Sequence, residues 1–142
     1  MTTVSQILQA KGSNVWIIAP EATVYDALAL MAEHDVGALV VEKDNAVVGI
    51  FSERDYARKV ILQGKSSRDT LVRDIMSSNV VCVRPHQTLD QCMAVMTDKR
   101  IRHLPVLDQN RLAGVISIGD VVKVIITEQS IMIDHLKDYI YG

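Results

Sequence analysis

Two pairs in this chain have types and a spacing that could do chemistry: Ser52 with Asp55, and Ser117 with Asp120. Both sit in one frame, Gly49-Ile50-Phe51-Ser52-Glu53-Arg54-Asp55 and Gly114-Val115-Ile116-Ser117-Ile118-Gly119-Asp120. An ionised aspartate accepts several hydrogen bonds and suits a diol. A serine hydroxyl and the free N–H groups at a helix start can donate to an anion. Each motif follows a β-branched apolar run and opens a helix-like run. The same pair therefore also reads as a cap, with the serine accepting from free N–H groups and the acid reciprocating three residues on. A lone Ser-x-x-Asp is explained by that cap. Here the neighbours of the motif repeat as well.

Other chemistries are poorly supported. His34, His86, His103 and His135 lack close metal spacing, and Cys82 and Cys92 stand far apart, so no metal site is expected. The two cysteines fall at apolar positions and read as buried thiols, which fits a reducing, cytoplasmic setting. No base is placed to activate Ser52, and no third group orients a Cys–His pair, so no catalysis is expected. The glycine-rich phosphate loops of other nucleotide-binding folds are absent.

The elements that must position these residues come in two copies. A shift of 65 places Pro20 on Pro85, Thr23 on Thr88, Met31 on Met96, Leu39 on Leu104, Gly49 on Gly114 and Ser52 on Ser117. The lead-in segments match at a shift of 68, Val4 to Leu8 on Val72 to Met76. Within a copy, a short strand (Val15 to Ala19; Val80 to Val83) ends at proline. A helix capped by Thr23 or Thr88 follows, with Gly37 ending the first of them. Two strands then flank a tight turn, at Asp44-Asn45 in the first copy. The motif opens the last helix, Tyr56 to Gln63 continuing it in the first copy. The pattern is β-α-β-β-α twice, an α/β (α+β) chain. Residues 1–66 hold the first repeat with its lead-in helix, and residues 67–142 the second with a long final helix. A unit of roughly 60 residues has a marginal core alone, so the copies are expected to pack together.

Composition narrows the function. A net charge of −2 gives no general attraction to nucleic acid or an anionic membrane, and 4% aromatic residues argue against a base-stacking platform. No apolar run approaches the roughly 20 residues of a membrane span. No charged region followed by an apolar stretch marks a secretion signal. The last helix carries Val121, Val122, Ile125, Ile126, Ile131, Leu136 and Ile140, more apolar surface than one side of a small domain covers. A homodimer is expected.

The repeat order, the Gly-x-x-Ser-x-x-Asp motif after the third strand and the run Arg102-His103-Leu104-Pro105-Val106 resemble a pair of CBS domains. That is the cystathionine-β-synthase-type repeat, whose paired form is called a Bateman module. Gly49 through Lys59 and Arg100 through Val106 are similar to stand-alone bacterial CBS pairs and a related plant mitochondrial group. The resemblance implies two pseudo-symmetric repeats packed into one module that binds an adenine nucleotide between them. It implies a sensor of energy or redox state acting on an unidentified downstream protein, not an enzyme. AMP is the leading ligand, with NAD or NADH, ATP or ADP and S-adenosylmethionine as the others. The runner-up is a ligand-free structural module for dimerisation or adaptation.

The resemblance also assigns residues. Site one would use Ser52, Arg54 and Asp55 with Val81, Val83, Arg102, His103 and Pro105. Site two would use Ser117 and Asp120 with Ile17, Ala19, Gly37 and Ala38. In this assignment the aspartate holds a ribose diol. Arg54, Arg102 and a protonated His103 offer charged donors to phosphate. Site two departs from site one: Gly37-Ala38 replaces Arg102-His103, Gly119 replaces Arg54, and Lys123 is the one nearby base. Site two is therefore expected to bind phosphate weakly, or to take a bulkier or less anionic group.

Overall fold

A computed structural model describes residues 1–142. Its elements run α1 (Val4–Lys11), β1 (Ile17–Ile18), α2 (Val24–His34), β2 (Ala38–Lys43), β3 (Ala46–Ser52) and α3 (Glu53–Tyr56). The second half gives α4 (Val72–Ile75), α5 (Leu89–Lys99), β4 (His103–Asp108), β5 (Arg111–Ser117) and α6 (Ile118–Tyr141). The repeats are alike to the level of register. Ala38 opposes Ser52 and His103 opposes Ser117, and each antiparallel pair slips once at matched positions, Val41/Glu42 and Val106/Leu107. Both hairpin turns use left-handed residues, Asp44-Asn45 and Gln109-Asn110, with φ between 51 and 65°.

Local chemistry sets the helix boundaries. Thr3, Thr23, Ser52, Thr88 and Ser117 each accept a backbone N–H three residues on. Gly37 does not end α2; Asp35 turns left-handed there, at φ 52°. The helix after Ser52 is one α turn that continues as a π-turn over Ala57–Ile61. The first strands are shorter than their composition suggests. Only Ile17 and Ile18 pair with β2, in parallel. The expected strand over 80–83 keeps a single bridge, Val83 to Val106. Pro20 and Pro85 close both runs, leaving little room for a ladder.

Two apolar cores form, and each is built across the repeats. Val72 and Ile75 of α4 join Val24, Leu39 and Phe51 of the first repeat. Val4, Ile7 and Leu8 of α1 join Cys92, Leu104 and Ile116 of the second. Each lead-in segment is fastened by backbone bonds, Val4 N–H to Gln87 O at 2.8 Å and Val72 N–H to Ala22 O at 2.8 Å. The motif glycines make this crossing possible. A Cβ on Gly49 would lie 2.5 Å from Met76 Sδ, and one on Gly114 would lie 2.6 Å from Leu8 Cδ2. Glycine is needed there because the other repeat's lead-in segment presses on the strand.

Candidate functional site

The strand ends and helix starts of the two repeats meet around two cavities. The first has a volume of about 670 Å³ and the second about 400 Å³. Matched positions line them. Val80, Val81, Ile101, Arg102 and His103 in the first correspond to Val15, Trp16, Val36, Gly37 and Ala38 in the second. Gly37 and His103 line both, so one wall is shared.

In the first cavity Asp55 is 8% exposed. Its Oδ2 accepts from Ser52 N–H at 3.0 Å and Ser52 Oγ at 3.1 Å, while Asp55 N–H donates to Ser52 Oγ at 3.2 Å. The capping pair is thus real, and it fixes the carboxylate at the cavity wall. Lys59, four residues on, pairs with Oδ1 at 3.2 Å and donates to Ile75 O at 3.0 Å. Arg54 reaches Arg100 O at 3.4 Å. Arg54, Arg58, Lys59, Arg100 and Arg102 give this cavity five cations against the acids Glu53 and Asp55. Such a field suits an anion beside a group that needs a hydrogen-bond acceptor.

Of the first assignment, Ser52, Arg54, Asp55, Val81, Arg102 and His103 line the cavity. Val83 and Pro105 do not; both are buried, with Val83 in the second core. Val83 N–H donates to Pro105 O at 2.9 Å, so the two secure the wall from behind. Arg58, Lys59 and Arg100 were not anticipated. Burial pushes the His103 imidazole below the ordinary value, and the nearby Lys11 and Arg102 push the same way against Asp120.

In the second cavity Gly37, Ala38 and Ser117 are wall residues. Ile17 and Ala19 are exposed elsewhere, and Val15 and Trp16 take the wall. The Trp16 ring stacks on His34 with centroids 3.5 Å apart. Ser117 N–H donates to Asp120 Oδ2 at 2.8 Å. The nearby base is Lys11, not Lys123: its ammonium lies 2.6 Å from Asp120 Oδ2 and 2.8 Å from Val115 O. Burial pushes the Asp120 carboxyl upward, but the Lys11 and Ser117 hydrogen bonds outweigh it and hold it below the usual value.

Cys82 and Cys92 are free, and burial raises both thiols, which makes them poor nucleophiles. No three His, Cys, Asp or Glu side chains are grouped to hold a metal. No helix is long and apolar enough to cross a membrane.

The family model described as CBS domain matches residues 4–61 and 72–127. A CBS domain-containing protein of Arabidopsis thaliana, CBSX3, mitochondrial, is 42% identical over 99% of this chain and 73% of its own length. The solved structure of a protein with CBS domains from Burkholderia ambifaria MC40-6 is 52% identical with a TM-score of 0.87, covering 90% of this chain and 96% of that one. The CBS domain pair of protein MJ0100, solved in complex with 5′-methylthioadenosine and S-adenosyl-L-methionine, shares the fold at a TM-score of 0.81 and 22% identity. It covers 90% of this chain and 98% of that one.

Proposed function

The chain belongs to the CBS-domain family, and from that premise we propose that it is a regulatory module that binds an adenine nucleotide, AMP foremost, and catalyses nothing itself. The observation that carries this reading is the first cavity. It holds the Asp55 carboxylate, an acceptor for ribose hydroxyls, within one wall system with Arg54, Arg58, Arg100 and Arg102 for phosphate. Val80, Val81 and Ile101 supply apolar surface for a base. The adenosyl ligands of MJ0100 support the reading by showing what this fold can hold. NAD or NADH, ATP or ADP and S-adenosylmethionine remain the other candidates. The ligand reports energy or redox state to a downstream protein, in a reducing, cytoplasmic setting.

The module works as a homodimer. Only Val121 of α6 is buried, while Val122, Ile126, Ile131, Leu136 and Ile140 stand exposed. The same exposed face favours the second reading, a ligand-free dimerisation or adaptor module. Calorimetry with AMP, ATP, NAD and S-adenosylmethionine separates the two. Saturable binding of at least one supports the sensor, and silence from all four supports the adaptor.

A further inference from the structure

The second cavity keeps the serine of the first in its wall, while Asp120 stands behind the lining, bonded to Ser117 and to the wall residue Lys11. Asp120 Oδ2 receives both the Lys11 ammonium at 2.6 Å and Ser117 N–H at 2.8 Å. The Lys11 and Asp120 side chains are only 33% and 17% exposed, so water does not fully screen the pair. Lys11 also donates to Val115 O at 2.8 Å, which fixes the ammonium at the cavity wall. The first cavity solves the same problem differently. Its lysine comes from the motif helix, as Lys59. In the second repeat Val124 replaces Lys59, and the lysine arrives from α1 instead.

From this geometry we infer that Lys11 sets the specificity of the second cavity, closing Asp120 to uncharged adenosyl ligands and opening it to those that carry an anionic group. The inference rests on the adenosyl reading of the cavity. A neutral nucleoside that claims Asp120 displaces the ammonium and leaves it without its carboxylate in a half-buried place. A phosphate-bearing ligand replaces the partner it removes. A cationic sulfonium ligand meets the same barrier plus repulsion from the ammonium. The second cavity is thus selective for anionic ligands, opposite to the expectation from Gly37, Ala38 and Gly119.

Trp16 is the single tryptophan and lines this cavity, so its emission reads this site apart from the first. Wild type, Lys11→Met and Lys11→Gln are titrated with AMP and with adenosine. Methionine keeps much of the apolar stem; glutamine keeps a donor without charge. α1 is anchored by Val4, Ile7 and Leu8, so both variants should keep it docked and melt cooperatively, if somewhat below wild type. In wild type the Trp16 signal should report AMP binding roughly 10- to 100-fold tighter than adenosine, the value of one charged hydrogen bond. In both variants adenosine should gain and AMP should lose, so that the preference collapses. A preference unchanged by either substitution overturns the role of Lys11 and leaves the site standing. No Trp16 response to either ligand in any of the three proteins, with calorimetric AMP binding retained, removes the adenosyl reading of this cavity and the inference with it.

Discussion

His103 stands against Gly37: a Cβ added to that glycine would lie 3.6 Å from His103 Nε2, and both residues line both cavities. The imidazole is therefore the partition between the two sites. Burial, aided by Lys11 and Arg102, holds its pKa below the ordinary value.

The sign of the pH dependence follows. In the window from about 6.5 down to the lowered folded value, the unfolded chain binds the proton first. His103 therefore withdraws stability as pH falls through that window and gives it back as pH rises. Urea midpoints at pH 7 and pH 5 should differ less in His103→Gln than in wild type. An unchanged difference would place the titration elsewhere.

Crossed packing of the lead-in helices gives a sharper stability test. Gly114→Ala drives a methyl into Leu8 and should destabilise by about 1–3 kcal/mol. Leu8→Ala removes the obstacle, so the double variant should lose less than the sum of the singles. Strict additivity in urea melts would mean that α1 does not rest on Gly114.

How much of this was legible in the chain depends on what repeats. The shift of 65 carries the strand pairs, the hairpin turns and the caps, because those are set by local residues such as Asn45 and Asn110. It could not show which repeat receives α1. Val4, Ile7 and Leu8 announce a buried face, but two pseudo-identical repeats offer two similar surfaces. Lys11 was hidden for a related reason: it meets Asp120 across 109 positions, through a helix whose register follows a different shift. Wall residues were half legible. Strands as short as β1 carry no periodic signal that would favour Trp16 over Ile17.

The charged wall of the first cavity should separate AMP from adenosine. Arg54→Ala with Arg102→Ala removes two cations and leaves Asp55 and the apolar wall. AMP affinity should fall heavily and adenosine affinity much less, with the gap narrowing in high salt. Equal losses for both ligands in calorimetry would show that these arginines serve the fold and not a phosphate.

Assembly is checked by sedimentation. The exposed face of α6, with Ile126, Ile131, Met132 and Leu136, should be covered by a second copy through a two-fold contact. A dimer is expected at tens of micromolar, a range chosen for roughly micromolar affinity. Leu136→Glu with Met132→Glu should shift it to monomer. A wild-type monomer at that concentration would argue against the homodimer.

The most direct test of the central claim is an AMP titration of wild type and Asp55→Asn by calorimetry, alongside melts of both without ligand. Asparagine keeps an acceptor for the Ser52 cap and loses the charge that strengthens bonds to a ribose diol. The account predicts that wild type binds AMP at the first cavity and that the variant binds it roughly 10- to 100-fold more weakly, with a ligand-free melt close to wild type. A variant that melts markedly lower yet binds AMP as tightly as wild type would contradict it, leaving Asp55 as a helix cap and no more.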